Sequence, residues 1–299
     1  MTTANIVCIG GGHGLGRLLK SLSINPNYKV TAVVSTTDNG GSTGRLRRQY
    51  NTIAWGDIRY CMNQLVSNTS FESLLFDLRF NNAGELSNHA MGNLMLYAAD
   101  QLCLRPTDTV ELMRQMLNIK TQILPMSDTN AHLTAMNLEG EMLYGELEID
   151  TTELELDYKS LGLTNQAVAS KEVLDAIQAA DLIVMAPGSF VTSILPPLLM
   201  TDLIKAVNDS NCQLAMFANL TPEGHRHFSK FEQKIAYFLH LGLKQIDHIL
   251  WPAHRQLPEV IIDKLTCYPF SDGLSSQHDP KFMYMAIENI LTRDTKAVA

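Results

Sequence analysis

Val30-Thr31-Ala32-Val33-Val34-Ser35-Thr36-Thr37-Asp38-Asn39-Gly40-Gly41-Ser42-Thr43-Gly44-Arg45-Leu46-Arg47 decides the fold. Its first third, Val30 to Ser35, is an apolar β-branched run and reads as a buried parallel strand. The rest gathers glycines, hydroxyls, an acid-amide pair and two arginines into one connection. Glycines let a backbone approach a ligand and turn its amides inward. Hydroxyls and guanidinium groups donate to phosphate oxygens. A loop of this chemistry at the carboxyl end of a strand stands where open α/β sheets place their ligands.

The flanks repeat the pattern. Asn5-Ile6-Val7-Cys8-Ile9 reads as the first strand, followed by Gly10-Gly11-Gly12-His13-Gly14-Leu15-Gly16 and a helix with Leu15, Leu18, Leu19 and Leu22 on one face. Further on, Lys171 to Ile177 is helical and Asp181 to Ala186 is a buried strand. Pro187-Gly188-Ser189 then turns into another helix, Gln213 to Asn219 is a strand and Lys230 to Leu241 a helix. Strands alternating with helices predict a mostly parallel, doubly wound α/β sheet. Residues 57–118 read as mainly helical, with a helix over Asn88 to Leu104 and Thr107 as the N-cap of the next. Residues 132–149 alternate around Glu139-Gly140 and predict a β-hairpin. The expectation is one domain over 1–299 with a helical and hairpin insertion at about 57–150, and a frayed polar tail after Leu291.

Composition narrows the function. The 299 residues are 45% hydrophobic with a net charge of -8, which argues against broad binding to nucleic acid or an anionic membrane. Arg45, Arg47 and Arg48 form a local basic patch suited to a small anionic ligand. The five cysteines lie far apart with no C-x-x-C, which fits reduced thiols in the cytoplasm. The most apolar stretch, Asp181 to Met200, is broken by Pro187, Gly188, Pro196 and Pro197 and is too interrupted to span a bilayer.

Each candidate has a functional and a plainer reading. The first glycine run is not G-x-G-x-x-G in any frame: position six is Leu15 counted from Gly10 and Arg17 counted from Gly12. What remains is a strand, a glycine turn and a helix N-terminus that can receive phosphate, or a tight βα turn. His13 touches a ligand, moves a proton, or caps its helix. Asp38 orients a ribose, holds magnesium or acts as a base, against an Asx-turn that only shapes the loop. Asn39 carries the same ambiguity. Asp57 reads as an N-cap, and Arg59 as a phosphate ligand or the partner of Asp57. His89 and Asn93 share a helix face beside Gly92, as pocket residues, or as a polar helix face with a satisfied core histidine. Gly188 and Ser189 repeat the logic of the first turn. Asp128, His132, His225, His227, His248 and His254 form no convincing metal spacing.

Taken in order, Gly10-Gly11-Gly12-x-Gly14, Thr37 to Gly44, Gly56-Asp57-Ile58-Arg59, His89-x-x-Gly92-Asn93-Leu94 and Pro187-Gly188-Ser189 resemble the YvcK/CofD superfamily, on its YvcK-like branch of gluconeogenesis factors (UPF0052). The resemblance implies a Rossmann-like three-layer α/β/α core and a homodimer. CofD-like members transfer a phospholactate-type group from a nucleoside diphosphate donor to a deazaflavin with magnesium. YvcK-like members bind UDP-sugars, notably UDP-N-acetylglucosamine, and support bacterial cell shape and growth on gluconeogenic carbon sources. By motif, Gly11, Gly12, His13 and Gly14 would meet the nucleotide or its phosphates. Gly40, Gly41, Ser42, Thr43, Arg45, Gly188 and Ser189 would share that work. Asp38 and Asn39 would stand at the reacting or sugar end, with Asp38 the magnesium ligand. Three positions depart from the family pattern: Asn88 replaces a usual glycine, Pro197 a common asparagine, and Asn219 to His225 match the third binding segment only in part.

Overall fold

The computed structural model describes residues 3–66, 70–82, 84–223, 228–259, 264–271 and 277–297. His225 and His227 lie outside them.

From the N-terminus, β1 (Ala4–Gly10) leads through a glycine turn into α1 (Gly12–Leu22), and β2 (Tyr28–Val34) follows. The Gly loop then opens α2 (Gly41–Gln49), and α3 (Gly56–Leu65), α4 (Phe71–Asp77), α5 (Met91–Asp100) and α6 (Pro106–Met116) make the helical region. β3 (Gln122–Pro125) returns to the main sheet. A small antiparallel sheet comes next, with β4 (Leu133–Asn137), β5 (Met142–Tyr144), α7 (Glu146–Thr151) and β6 (Leu156–Leu163), in the order β5-β4-β6. The chain re-enters the core through α8 (Lys171–Gln178) and β7 (Leu182–Met185). A π-turn (Phe190–Ile194) runs into α9 (Leu195–Leu198), and α10 (Thr201–Asp209) and β8 (Gln213–Phe217) follow. The chain closes with α11 (Phe231–His240), β9 (His248–Pro252), β10 (Leu265–Tyr268) and α12 (Pro280–Ala297).

Among the described residues, seven parallel strands form one sheet in the order β10-β9-β8-β7-β1-β2-β3. Strand residues alternate between its faces because successive side chains point to opposite sides. Ile6 and Cys8 join one buried cluster with Leu15, Leu18 and Leu19 of α1 and Met283 and Ile287 of α12. Val7 and Ile9 join the other with Val173 of α8, Leu203 of α10 and Phe238 of α11. Both faces are covered, so each strand reads as a continuous apolar run. Helix starts follow local chemistry: Ser170 caps α8 by accepting from the Val173 amide at 3.3 Å, and Pro106 fills the first position of α6, where no amide is needed.

The parallel α/β core, the helical region and the hairpin match the expected architecture. Four details differ. The helix expected over Asn88 to Leu104 spans only Met91–Asp100, because Ala90 before it is extended and bridges to Arg79, so His89 stands ahead of α5. β3 lies inside the span assigned to an insertion yet pairs with β2, because Ile123 and Leu124 extend the main core. The hairpin gains a third strand, β6, and gives way to α7 at Glu146 instead of continuing. The region after Leu291 continues the backbone of α12 to Ala297. Among the described residues, no single helix is long and apolar enough to cross a membrane.

Candidate ligand site

The chain leaves β1 toward β2 and β3 on one side and returns to β7 on the other, which makes the carboxyl end of the β1/β7 pair the topological switch point. Two turns meet there. A Cβ on Gly14 would stand 1.8 Å from the carbonyl oxygen of Pro187, so the turns touch backbone to backbone. The α1 N-terminus already has an anionic partner: the Asp57 carboxylate accepts from the Gly12 amide. A Cβ on Gly11 would meet Asp57 Oδ2 at 2.4 Å. Asp57 therefore caps α1 across the fold, whereas the cap position of its own helix α3 is Trp55.

Beside these turns opens a cleft of about 330 Å³, lined among others by His13, Gly14, Arg17, Gly188, Asn219 and His278. His13 is exposed and its ring lies 4.1 Å from that of Tyr60. The partial enclosure its ring keeps beside Tyr60, then the charges of Arg17 and Arg59, hold its pKa below the usual histidine range. Arg17 is half-buried, and its Nε is enclosed without a hydrogen-bond partner. His278 donates through Nε2 to the Ala218 carbonyl at 3.0 Å. Burial, with help from Arg17, pushes its pKa down to about 4, so the ring is neutral at pH 7. Arg17 escaped the sequence reading because it appeared only as a failed glycine position.

On the other side of the first turn, carboxylates gather. Burial, then the Asp38 charge, raises Asp57 to about 7. Burial, then Asp38 and Asp57, raises Glu146 to about 8. Glu146 opens α7, which is pinned by Asn39: its Oδ1 accepts from the Leu147 amide at 2.8 Å. Gly145 takes φ +86°, and a Cβ there would stand 2.0 Å from Asn39 Nδ2. Asn39 thus docks the small sheet's helix onto the Gly loop. Nothing local in the sequence marks Glu146, because tertiary docking alone brings it to Asp38.

The pH consequence has a definite sign. Both acids keep their protons more tightly when folded, so between the ordinary carboxylate range and about pH 8 the folded state binds more protons. Stability should fall as pH rises through that window. Thermal melts from pH 4 to 9 should show a shallower fall for Asp57→Asn and Glu146→Gln, and parallel curves for wild type and variants would contradict the coupling.

The other predicted residues divide into loop-builders and site neighbours. Asp38 Oδ1 accepts from the Gly40 amide at 2.7 Å, the Asx-turn, while Oδ2 faces Gly56. Gly41 opens α2 at φ +43°. Ser42 Oγ accepts from the Ala90 amide at 3.3 Å and Asn93 Nδ2 at 3.2 Å, and meets His89 Nδ1 at 3.0 Å. Thr43 accepts from the same Asn93 amide group at 3.4 Å. Ser42, Thr43, His89 and Asn93 are all buried, so they clamp α2 to α5. Arg45 turns away to the carbonyls of Glu85 and Ser87. Arg59 pairs with Asp77 at 2.7 Å rather than with Asp57. Ser189 accepts from the Thr192 amide at 3.3 Å, and the Gly188 amide donates to Asn219 Oδ1 at 3.0 Å. Asn88 sits at φ +64°, a conformation asparagine tolerates better than other non-glycine residues. That explains how it stands where the family pattern has glycine.

The whole chain has relatives that share this arrangement. Residues 6–282 match the model of the family "2-phospho-L-lactate transferase CofD". A protein of Pasteurella multocida described as "Putative gluconeogenesis factor" is 40% identical over 96% of this chain and 93% of its own length. One of the same description from Vibrio cholerae is 45% identical over 78% of each chain. A crystal structure of a UPF0052 family member from Bacillus halodurans superposes with a TM-score of 0.87 at 27% identity, covering 96% of this chain and all of that one. With its seven-stranded sheet and its ordered glycine turns, the chain belongs to the CofD family, among the relatives described as gluconeogenesis factors.

Proposed function

We propose that the protein binds a nucleotide sugar of the UDP-N-acetylglucosamine type and acts as a regulator linking carbon metabolism to bacterial cell shape. The observation that carries this reading is the half-buried Arg17 on the wall of the cleft at the switch point, hydrogen-bonded to Tyr60 and with its Nε unbonded. A guanidinium so placed suits a diphosphate. The neutral His278 and the neighbouring Asn219 and Leu220 offer the mixed polar and apolar wall that a base and ribose need. The reading includes a homodimer in the cytoplasm, with neither nucleic acid nor membrane as partner.

The carboxylates support a second reading, a CofD-like transferase that moves a phosphate-linked group from a nucleoside diphosphate donor. Magnesium binds through one or two carboxylates together with substrate phosphates. Asp38 and Asp57 fit that donor set, since their charges oppose each other and Arg47 and Arg59 offset them only in part. Among the described residues no three metal-ligating side chains converge, so the rest of the shell would come from substrate and water. Bound there, magnesium would supply charge neutralisation at the diphosphate. The chain's own part would be to position the donor with Arg17 and to exchange a proton at Glu146.

Calorimetry with UDP-N-acetylglucosamine, GTP and NAD, with and without magnesium, separates the readings. Wild type should bind the UDP-sugar selectively. Arg17→Ala should weaken it by about 10- to 100-fold, the value of a lost charged hydrogen bond. Asp38→Ala should also weaken it. Preference for GTP with magnesium would move the conclusion to the transferase, and an unchanged affinity in Arg17→Ala would remove the cleft from the site.

A further inference from the structure

The segment that departs most from the family pattern, Asn219 to Glu223, puts a carboxylate in the cleft wall. Glu223 Oε2 accepts from the Phe190 amide at 2.8 Å, and Oε1 accepts from Asn219 Nδ2 at 2.6 Å. Asn219 in turn grips the β7 turn, donating to the Gly188 carbonyl at 2.7 Å and accepting from its amide. Behind Glu223 stands Lys234 of α11, whose ammonium bonds to Oε1 and lies 5.3 Å from the Phe190 ring centroid. Both side chains are enclosed, at 12% and 9% exposure. Arg255 is a second cation that feels the Glu223 charge, but its hydrogen bond goes to the Asn219 carbonyl at 2.7 Å and it stacks on Trp251.

A buried ion pair is a weak source of stability, since its attraction is spent on desolvation. This pair also faces an unusual demand. A carboxylate beside a cleft that takes a diphosphate repels it, and low polarity strengthens the repulsion. We propose that Lys234 is the charge-compensating residue of the ligand cleft, cancelling Glu223 from behind so that a phosphate-linked anion can bind in front. The inference rests on the cleft reading above and adds to it a residue that does not line the cleft itself. Glu223 is kept because it holds the Phe190 amide and Asn219, and through them the turn that meets Gly14.

The two partners make opposite predictions under this assignment. Glu223→Gln keeps an oxygen for the Phe190 amide and removes the negative charge, so anion binding should hold or tighten, with a steeper loss in salt. Lys234→Met leaves the carboxylate only the more distant charge of Arg255, which makes no hydrogen bond to it, and should weaken binding by about tenfold or more. The double variant is neutral and should return to within about threefold of wild type, as expected of coupled partners. A purely architectural pair predicts instead that both single variants weaken binding.

The experiment is calorimetric titration of the full chain with inorganic pyrophosphate and with UDP-N-acetylglucosamine at two salt concentrations, for wild type and the three variants. Tighter or equal binding by Glu223→Gln with rescue in the double variant is the expected result. Weaker binding by Glu223→Gln, or wild-type binding by Lys234→Met, overturns the proposal. If Lys234→Met fails to fold, the other two variants still decide by the same signs. Wild type binding neither probe overturns the cleft reading together with this one, whereas binding by wild type that all variants share overturns this one alone.

Discussion

Replacing Gly14 by alanine is expected to lower the stability of the protein by about 3 kcal/mol or more, the upper range for overpacking. The added Cβ would stand 1.8 Å from the Pro187 carbonyl oxygen and 2.7 Å from its carbon. Both belong to backbone, so no side chain can swing aside. The strain must be relieved by separating the turns that follow β1 and β7, which also form one wall of the cleft. Gly41→Ala is the control. Its φ of +43° disfavours alanine, but no atom lies within 4 Å of the new Cβ, so the cost should stay near about 1 kcal/mol. Urea denaturation of both variants checks the difference. Equal midpoints would mean that the β1/β7 contact is slack.

Arg47→Met is expected to be comparably severe and to abolish ligand binding as well. The guanidinium is buried and donates to the Thr37 and Asp38 carbonyls, each at 2.9 Å, to Asn130 Oδ1 at 2.7 Å, and to the Ala131 carbonyl. One side chain thus ties the loop after β2 to the loop after β3. Burial lowers its pKa to about 10, with Asp38 and Glu146 acting in the opposite direction, so it stays charged at neutral pH. Methionine fills the volume but leaves these four acceptors without a donor, a loss of about 6 kcal/mol if each charged bond sits at the low end of its range, about 1.5 kcal/mol. Arg47→Lys should recover only part of it, because a single ammonium cannot reproduce the planar fork. Denaturation and UDP-sugar titration of both variants test this, and a lysine variant equal to wild type in both would refute the bridging role.

The parts of this structure that sequence disclosed are those set by local periodicity and turn chemistry. β1, β2, β7 and β8 are apolar runs ended by glycine or polar turns, and each lies where its pattern put it. The family motifs located the switch point, and Gly14 and Gly188 both line the cleft. What stayed hidden depends on where a long side chain goes after the chain folds. Arg45 and Arg47 are two residues apart on α2, yet one reaches back to the 85–87 carbonyls and the other crosses to residues 130–131. Asp57 looks like a cap for its own helix and serves α1 instead. Glu146 joins the acids near Asp38 from 108 residues away, through a helix docked by Asn39. His89 and Asn93 were legible as polar neighbours, with a satisfied core histidine as the plainer reading, but their meeting with Ser42 in a buried clamp was not. β3 was missed because its four residues are too few for periodicity to separate from a loop.

The strand order also has a consequence for synthesis. β1 leaves the ribosome long before its second neighbour, β7, which begins at Leu182. At ordinary elongation rates that partner arrives on the order of ten to thirty seconds later. Through that interval the apolar edge of β1, Ile6 to Ile9, has no strand to pair with on one side, and unpaired apolar edges recruit other chains. Release of the nascent first half before β7 emerges is therefore expected to leave it prone to association. A message truncated before the codon for Leu182 yields a chain that lacks the β7 wall of the cleft and keeps that edge open, so the expected product of premature termination is an association-prone fragment rather than a weaker binder.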